Sequence, residues 1–226
     1  MPEPRQWNPS FDHEIASQVF QRAFLNVVAR QIADDIQFQE LERTILSEAA
    51  TLEVTHQDWV KDESSKYNLK MTALVLSSYR ALQSILSRDE TLALLRTAMI
   101  EPFYASIRQG TAEALDHTPD ALAMMATITK QKQHSLYGTG FVFEQERDDA
   151  NAFLVNIGRC FYHSFFVANG ASELTPIFCD WDTCWADAID PARHGLRFER
   201  PTTLGYGGDR CRFYFFRVSK PESAQQ

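Results

Sequence analysis

The spacing of apolar residues changes once along this chain, and that change limits the folds open to it. From residue 12 to about 134 the apolar positions recur at intervals of three and four, which is typical of helices packed on one face. After Lys130 they begin to alternate, as in strands with one buried face. The sequence therefore predicts an α+β fold. A helical region over 1–134 would pack with a small antiparallel sheet and helices over 135–226, together forming one compact domain.

Local signals divide the helical region into several helices. The first apolar stripe is interrupted near Asp34–Asp35, which leaves open one long helix or two shorter ones. Capping residues and a first-turn proline mark later helix starts. These signals predict helices along the stripes 20–32 and 36–46 and over 69–86, with further starts at the capping box Ser87–Glu90 and at Thr118–Pro119.

The second region is predicted to hold a strand, a helix and a terminal hairpin. Tyr137–Glu146 alternates as a strand would, and the next predicted element is a helix from Asp148 to about Ala168. Gly195–Thr203 and Cys211–Val218 are two strand-like runs, and the link between them is rich in glycine. We expect these two runs to pair as an antiparallel hairpin.

The charge of the chain disfavours polyanionic partners. Its 22 Lys and Arg residues against 30 Asp and Glu leave a formal net charge of -8, which repels nucleic-acid phosphates and anionic lipid. No apolar run reaches the roughly eighteen residues that a membrane span needs. We therefore expect a small-molecule partner, rather than nucleic acid or a membrane.

Two further features bear on the cellular compartment. Met1–Glu14 has neither the positive start nor the apolar core of a secretory signal, so a cytoplasmic location is expected. The four cysteines all lie in the last third of the chain and form no CxxC pair, which indicates reduced thiols.

The helix predicted to end near Ala168 carries a first pair of candidate catalytic residues. Its spacing places Asn156, Cys160 and His163 on one face, beside the face assigned to the core. In this arrangement Cys160 is a candidate nucleophile and His163 a candidate general base. The competing interpretation is a packing cysteine beside a core or capping histidine.

The segment from Glu173 to Asp190 combines five acids with aromatic residues and has no basic residue. Because its tryptophans need burial, Asp180 or Asp182 is drawn toward an apolar environment, which raises a carboxyl pKa or demands a cation. A solvated helix face with Asp182 as a cap is the alternative. A divalent ion held by His163, Glu173 and the two aspartates was weighed as well. Because no metal-specific spacing occurs, no metal or other cofactor is predicted.

The arginine-rich terminal hairpin supplies the opposite charge. Strand alternation places Arg200 on the same face as Leu196 and Phe198. A guanidinium on an apolar face needs an anion. A substrate carboxylate and an aspartate of the acidic segment both satisfy that need, and the sequence leaves the two open.

Several short motifs in the last third resemble one known family when they are taken in order. The motifs are Arg159–His163, Glu173–Pro176, Phe178–Asp182, Phe198–Thr203 and Gly208–Phe213. They resemble the motif set of the L-2-amino-thiazoline-4-carboxylic acid hydrolase family over roughly residues 136–218. The resemblance implies a hydrolase that acts on a small heterocyclic carboxylate and opens a thiazoline ring to a carbamoyl-cysteine product.

A mechanism follows from joining that resemblance to the candidate residues. Arg200 would bind the substrate carboxylate, Asp180 or Asp182 would hold the cationic amidine, and His163 would deprotonate the attacking water. Direct attack by Cys160 is the second route. The residues predicted to contact the substrate along the pocket wall are Tyr162, Glu173, Trp181 and Trp185.

Two other functions stay open at this point. The same aromatic pocket would suit cyclisation or isomerisation of a natural-product intermediate with water excluded. It would also suit a non-catalytic module that binds a small molecule, as in vinyl-reductase-type domains, which this half resembles. The apolar stripe around Phe20 and Phe24 is compatible with a homodimer and with a self-contained helical bundle.

Overall fold

Helices make up the first half of the molecule. The computed structural model describes residues 11–32 and 35–218. Its first five helices are α1 (His13–Gln31), α2 (Asp35–Thr55), α3 (Glu63–Leu82), α4 (Arg88–His117) and α5 (Ala121–Lys132). The first stripe therefore forms two helices. Of the predicted break at Asp34–Asp35, Asp34 lies outside the described part of the chain and Asp35 begins α2.

The helix starts follow the capping chemistry of the sequence, with one correction. Ser87 and Glu90 form the predicted capping box at the start of α4. The predicted start at Thr118–Pro119 is wrong, because Thr118 ends α4 and the Asp120 side chain caps α5 by accepting from the Ala123 N–H at 3.0 Å.

The central helix of the first half is α3. It begins at Glu63 and ends at Leu82, so the predicted span of 69–86 started too late and ran too far. Asp62 and Ser65 cap it reciprocally. Fifteen of the twenty residues of α3 are buried, because the helix packs against α1, α2, α4 and a later helix, α6 (Phe161–Ala168).

A four-stranded antiparallel sheet forms the second half of the fold. Its strands are β1 (Val142–Asp148), β2 (Ala152–Arg159), β3 (Leu196–Glu199) and β4 (Cys211–Arg217), in the spatial order β1-β2-β4-β3. The predicted terminal hairpin is confirmed by the antiparallel pairing of β3 with β4, in which Phe198 lies opposite Phe215. With helices packed on this sheet, the predicted α+β class is confirmed.

The predicted helix over 148–168 is wrong in its first half, where the chain forms strand β2. Asp149 Oδ1 accepts from the N–H groups of Asn151 at 2.8 Å and Ala152 at 3.0 Å, so this acid closes a turn instead of capping a helix. The β-branched Val155 and Ile157 favour a strand, and β2 pairs with β1 on one side and β4 on the other. A helix begins only at Phe161.

One continuous core joins the two halves. Helix α5 packs against β2 and β4, and the remaining elements α7 (Thr175–Trp181) and α8 (Pro191–His194) connect α6 to β3. Phe20 and Phe24 are buried within the chain, and the Phe20 ring lies 6.1 Å from that of Phe103 in α4. Intramolecular packing therefore accounts for the stripe on which a homodimer was considered. Across the described residues, none of the helices has an apolar stretch that would cross a bilayer.

Candidate active site

A cavity of about 360 Å³ lies between α4, α5 and the sheet. Its wall is mainly apolar, with polar groups from α4 and from the end of α5. Cavities of this kind, with few polar groups in an apolar wall, are typical of small-molecule sites. The apolar lining includes Ile107, Met124, Met125, Ile128, Phe143, Val155, Ile157, Trp185 and Phe213.

Lys132, the last residue of α5, is the cation in this wall. No described residue forms a hydrogen bond or an ion pair with its ammonium group. Burial lowers the Lys132 pKa from the ordinary 10.5, and the charge of Asp182 opposes that shift. A desolvated ammonium without a direct partner favours the binding of an anion.

Tyr137 and Asp182 form an acid–base pair beside Lys132. Tyr137 lines the cavity from the irregular helical turn that follows α5, and Asp182 is the residue that ends α7. The Tyr137 hydroxyl donates to Asp182 Oδ1 at 2.6 Å. Burial raises the pKa of both groups, although Arg200 partly opposes the shift of Asp182. The Tyr137 hydroxyl therefore links the wall of the cavity to the buried Asp182, which does not itself line that cavity.

Arg200 lies on the far side of Asp182 and has protein partners. Its guanidinium lies 3.6 Å from Asp182 Oδ2, donates to the Cys179 carbonyl at 2.6 Å and stacks 4.5 Å from the Phe213 ring centre. The Arg200 side chain is 12% exposed, and its buried Nε has no hydrogen-bond partner among the described residues. Of the two anions that the sequence left open for Arg200, the structure therefore contains the protein carboxylate, Asp182.

The Tyr137 segment is held in place from α3. The Asn68 side chain donates to the Tyr137 carbonyl at 3.1 Å and accepts from the Tyr162 hydroxyl at 3.1 Å. Gly138 follows with φ +64°, and a Cβ there would lie 2.6 Å from the Ser64 Cβ. Tyr162, a predicted substrate contact, is buried, and its hydroxyl holds the Asn68 side chain in position through this hydrogen bond.

Cys160 and His163 do not share the helical face that the sequence predicted. Asn156 belongs to β2 and donates to Glu146, whereas Cys160 precedes α6 and lines a second cavity of about 20 Å³ together with Asp182 and Arg200. Burial raises the pKa of the Cys160 thiol, so the reactive thiolate is disfavoured.

His163 lies at the edge of the site. Its Nδ1 is 3.4 Å from the Thr175 hydroxyl, and Thr175 lines the small cavity. Burial lowers the His163 pKa below 6.5, which favours the neutral imidazole. His163 itself lines neither cavity.

The other acidic candidates have separate partners. Asp180 pairs with Arg96 and accepts from the Tyr206 hydroxyl at 2.8 Å. Glu173 accepts from the Tyr79 hydroxyl at 2.7 Å. Within residues 11–32 and 35–218, no three His, Cys, Asp or Glu side chains are grouped as metal ligands, so the ion weighed at His163, Glu173 and the aspartates has no assembled site there.

The two tryptophans of the acidic segment differ in their surroundings. Trp185 lines the larger cavity, stacks 5.7 Å from the Phe215 ring and donates from its indole nitrogen to the Asp182 carbonyl at 2.7 Å. The buried indole nitrogen of Trp181 has no partner among the described residues, and Trp181 packs against the core. Trp185 therefore contributes to the cavity wall and to the position of Asp182.

Sequence reasoning missed Lys132 and Tyr137. Lysines near a helix C-terminus are ordinary because they complement the helix dipole, so Lys132 carried no distinct signal. Tyr137 was assigned to a strand, but it ends a helical turn before β1. Both residues lie at the junction between the two predicted regions. Neither the helical spacing before it nor the strand alternation after it indicates a catalytic or binding residue there.

The structure is an α+β fold with a mainly apolar cavity, in whose wall the Lys132 ammonium has no hydrogen-bond or ion-pair partner among the described residues. A sequence model of one family, L-2-amino-thiazoline-4-carboxylic acid hydrolase, matches residues 67–215. The chain belongs to this family, and the resemblance inferred from its motifs is confirmed. The matched part includes Lys132, Tyr137, Asp182 and Arg200.

Other comparisons add little. No curated protein matches the chain. The crystal structure of the Fe(II) unliganded H-NOX protein from K. algicida aligns over 92% of this chain and 98% of that chain, with 14% identity and a TM-score of 0.33. A mutant of the same protein aligns over 89% and 96%, with the same identity and TM-score. These values are too low to indicate a shared fold.

Proposed function

We propose that this protein hydrolyses a cyclic amidine carboxylate of the thiazoline type in the cavity lined by Lys132 and Tyr137. Membership of the hydrolase family supports the reaction class. The observation that carries the proposal is the unpaired Lys132 ammonium in an apolar wall, beside the hydrogen-bonded Tyr137 and Asp182. This site offers an anchor for a carboxylate and a group that transfers protons.

In this proposal Lys132, rather than Arg200, binds the substrate carboxylate. Arg200 already has Asp182 and the Cys179 carbonyl as partners, so a substrate would have to displace one of them. Lys132 gains its first direct partner when the carboxylate binds. Arg200 then acts on the reaction by keeping Asp182 in position.

Tyr137 and Asp182 would move the protons of ring opening. The oxygen of water bonds to the amidine carbon, and the bond from that carbon to the ring sulfur breaks with its electron pair left on sulfur. The Tyr137–Asp182 pair, which is already joined by a hydrogen bond, donates a proton to that sulfur through the Tyr137 hydroxyl and takes one back from the attacking oxygen. The other proton of the water passes to the ring nitrogen. The product retains all atoms of the substrate plus one water.

The sequence also predicted catalytic routes in which His163 is the base or Cys160 is the nucleophile. His163 reaches the small cavity only through Thr175, and the raised pKa of Cys160 keeps its thiol protonated. The geometry therefore supports Tyr137 and Asp182 more directly. Replacement of each residue in turn separates the routes.

The apolar wall favours one other function, cyclisation or isomerisation with water excluded. Mass spectrometry of the protein incubated with 2-amino-thiazoline-4-carboxylate separates these functions. A product heavier by one water supports hydrolysis, whereas a new product of unchanged mass supports isomerisation. Saturable binding with no turnover, either of this ring or of a ring that bears an apolar substituent, would identify a binding module and contradict both enzymatic functions.

A matched pair of variants tests the role of Lys132 in that assay. Lys132→Met is expected to raise KM at least about tenfold, because a hydrogen bond to a charged group contributes roughly 1.5–3 kcal/mol. Lys130→Met is the control, since Lys130 lies on the same helix but pairs with Asp148 at the surface. Equal effects of the two replacements would remove Lys132 from the site.

A further inference from the structure

The cavity is larger and more apolar than a bare thiazoline carboxylate requires. That molecule is a single five-membered ring with two small polar substituents. A cavity of about 360 Å³ falls at the lower end of the range for drug-sized ligands, roughly 300–1,000 Å³. Lys132 and Tyr137 would contact the polar head of such a ligand. The methionine-lined wall of α5 would then be left without a ligand group packed against it.

The wall also contains open space that a larger ligand would use. Gly110 of α4 lines the cavity at an exposed position, so it marks the mouth, and a Cβ added there would meet no atom of another element within 4 Å. Met124 and Met125 line the wall with flexible thioether side chains, which adapt to ligands of varied shape. Space, adaptable apolar side chains and one unpaired cation therefore occur in a single cavity.

We infer that the ligand of this cavity is an amphiphilic carboxylate, in which an apolar alkyl or aryl group extends from the anionic head. This inference rests on the proposed function for its assignment of the cavity as the substrate site. The carboxylate pairs with Lys132, and the apolar group packs against Met124, Met125 and the α4 face at Gly110. The natural substrate is then a ring bearing an apolar substituent, and the unsubstituted ring is a poor substrate.

Calorimetric titration with simple carboxylates tests this inference independently of turnover. Butanoate, hexanoate and octanoate share a head group and differ only in chain length, and octanol matches octanoate without the charge. Affinity for the wild-type protein is expected to rise roughly fourfold with each added methylene. An affinity that does not depend on chain length would overturn the inference.

Variants at the two ends of the cavity localise the binding. Lys132→Met should weaken octanoate at least about tenfold and leave octanol unchanged, whereas Lys130→Met should alter neither. Gly110→Leu fills the open space and should remove the gain from butanoate to octanoate, and the smaller Gly110→Ala serves if the leucine variant does not fold. A preserved gain in the folded Gly110 variant contradicts the inference.

The outcomes separate this inference from the proposed function. Hydrolysis of the thiazoline carboxylate without chain-length dependence overturns the inference and leaves the proposed function standing. Chain-length dependence without hydrolysis of ring substrates, substituted or bare, supports the amphiphilic ligand and overturns the proposed reaction.

Discussion

Lys132 and Asp182 lie fifty residues apart in the sequence, yet each alters the titration of the other. The apolar wall removes the Lys132 ammonium from water, which destabilises its charged form. The negative charge of Asp182 offsets part of that destabilisation. Tyr137 connects the cavity to that aspartate through its hydroxyl.

Carboxylate binding should weaken as the pH rises through the Lys132 pKa. The ammonium must be protonated to bind an anion, and burial lowers its pKa below the ordinary 10.5. The loss should therefore occur at a lower pH than a surface lysine would give. Calorimetric titration of octanoate from about pH 7 to about pH 11, which spans the ordinary lysine pKa of about 10.4 and the values below it, measures this loss. The same pH profile in Lys132→Met would contradict the assignment.

Tyr137→Phe should lower kcat by roughly 10²-fold or more and change KM little, because proton transfer is lost while the anchor remains. Tyr104→Phe is the matched control, since the Tyr104 hydroxyl donates to Asp187 at 2.8 Å outside the cavity lined by Lys132. Steady-state kinetics with a thiazoline carboxylate that bears an apolar substituent gives kcat and KM for each variant.

The histidine route predicts a different pattern in the same kinetics. His163→Ala should leave kcat within about twofold if Tyr137 and Asp182 move the protons, whereas a base at His163 predicts a loss of at least about tenfold. A large loss in His163→Ala together with near-normal turnover in Tyr137→Phe would reverse the roles proposed for these residues.

The elements that could be predicted from sequence are those whose signals are local. The capping box at Ser87 and the β3–β4 pairing depend on residues close together in the chain, and both were predicted. Strand β2 was missed because it is a central strand whose Leu154 and Ile157 coincide in spacing with Phe161 of α6. Periodicity alone does not distinguish a short buried strand from a helix.

The site was predicted only in part for a related reason. The sequence indicated that Asp180 or Asp182 is drawn into an apolar environment and that Arg200 needs either a substrate carboxylate or an aspartate, and the structure pairs Arg200 with Asp182. It gave no indication that Lys132 of α5 faces the same region, because that contact depends on how α5 packs on the sheet. Pairing across elements is a property of the tertiary fold and leaves no local pattern.

The turn after Tyr137 is the element that fixes the site, and Gly138 is its most constrained residue. Gly138→Ala should destabilise the fold by about 1–3 kcal/mol, because φ +64° is strained for alanine and its Cβ would contact Ser64 and Asp62. Gly170→Ala is the control, with φ +67° and open space around its Cβ. Urea unfolding compares the two, and an equal or smaller cost at Gly138 would contradict the close packing.

The cavity lies between the two regions that the sequence separates near residue 134. Helices α4 and α5 form one side of it and the sheet forms the other. The Tyr137 turn is held by Asn68 of α3, and Asp182 comes from the segment after α7. A site built in this way requires the two regions to fold as one unit.

The protein should therefore unfold in a single cooperative transition. Differential scanning calorimetry is expected to give one peak, with the van't Hoff enthalpy equal to the calorimetric enthalpy. Octanoate should shift that peak upward as a whole, because a ligand that binds only the native state stabilises the entire unit. Two resolved transitions would contradict the single domain predicted for this chain.

In the proposed reaction, the cavity beside Lys132 holds the substrate by its carboxylate. A crystal structure of Tyr137→Phe, chosen to slow turnover, with a thiazoline carboxylate bound would show this contact. A carboxylate oxygen is expected within hydrogen-bond distance of Lys132 Nζ, and the amidine carbon is expected beside the ring of residue 137. A carboxylate bound to Arg200 with Asp182 displaced, or a ligand outside the cavity, would contradict this binding mode.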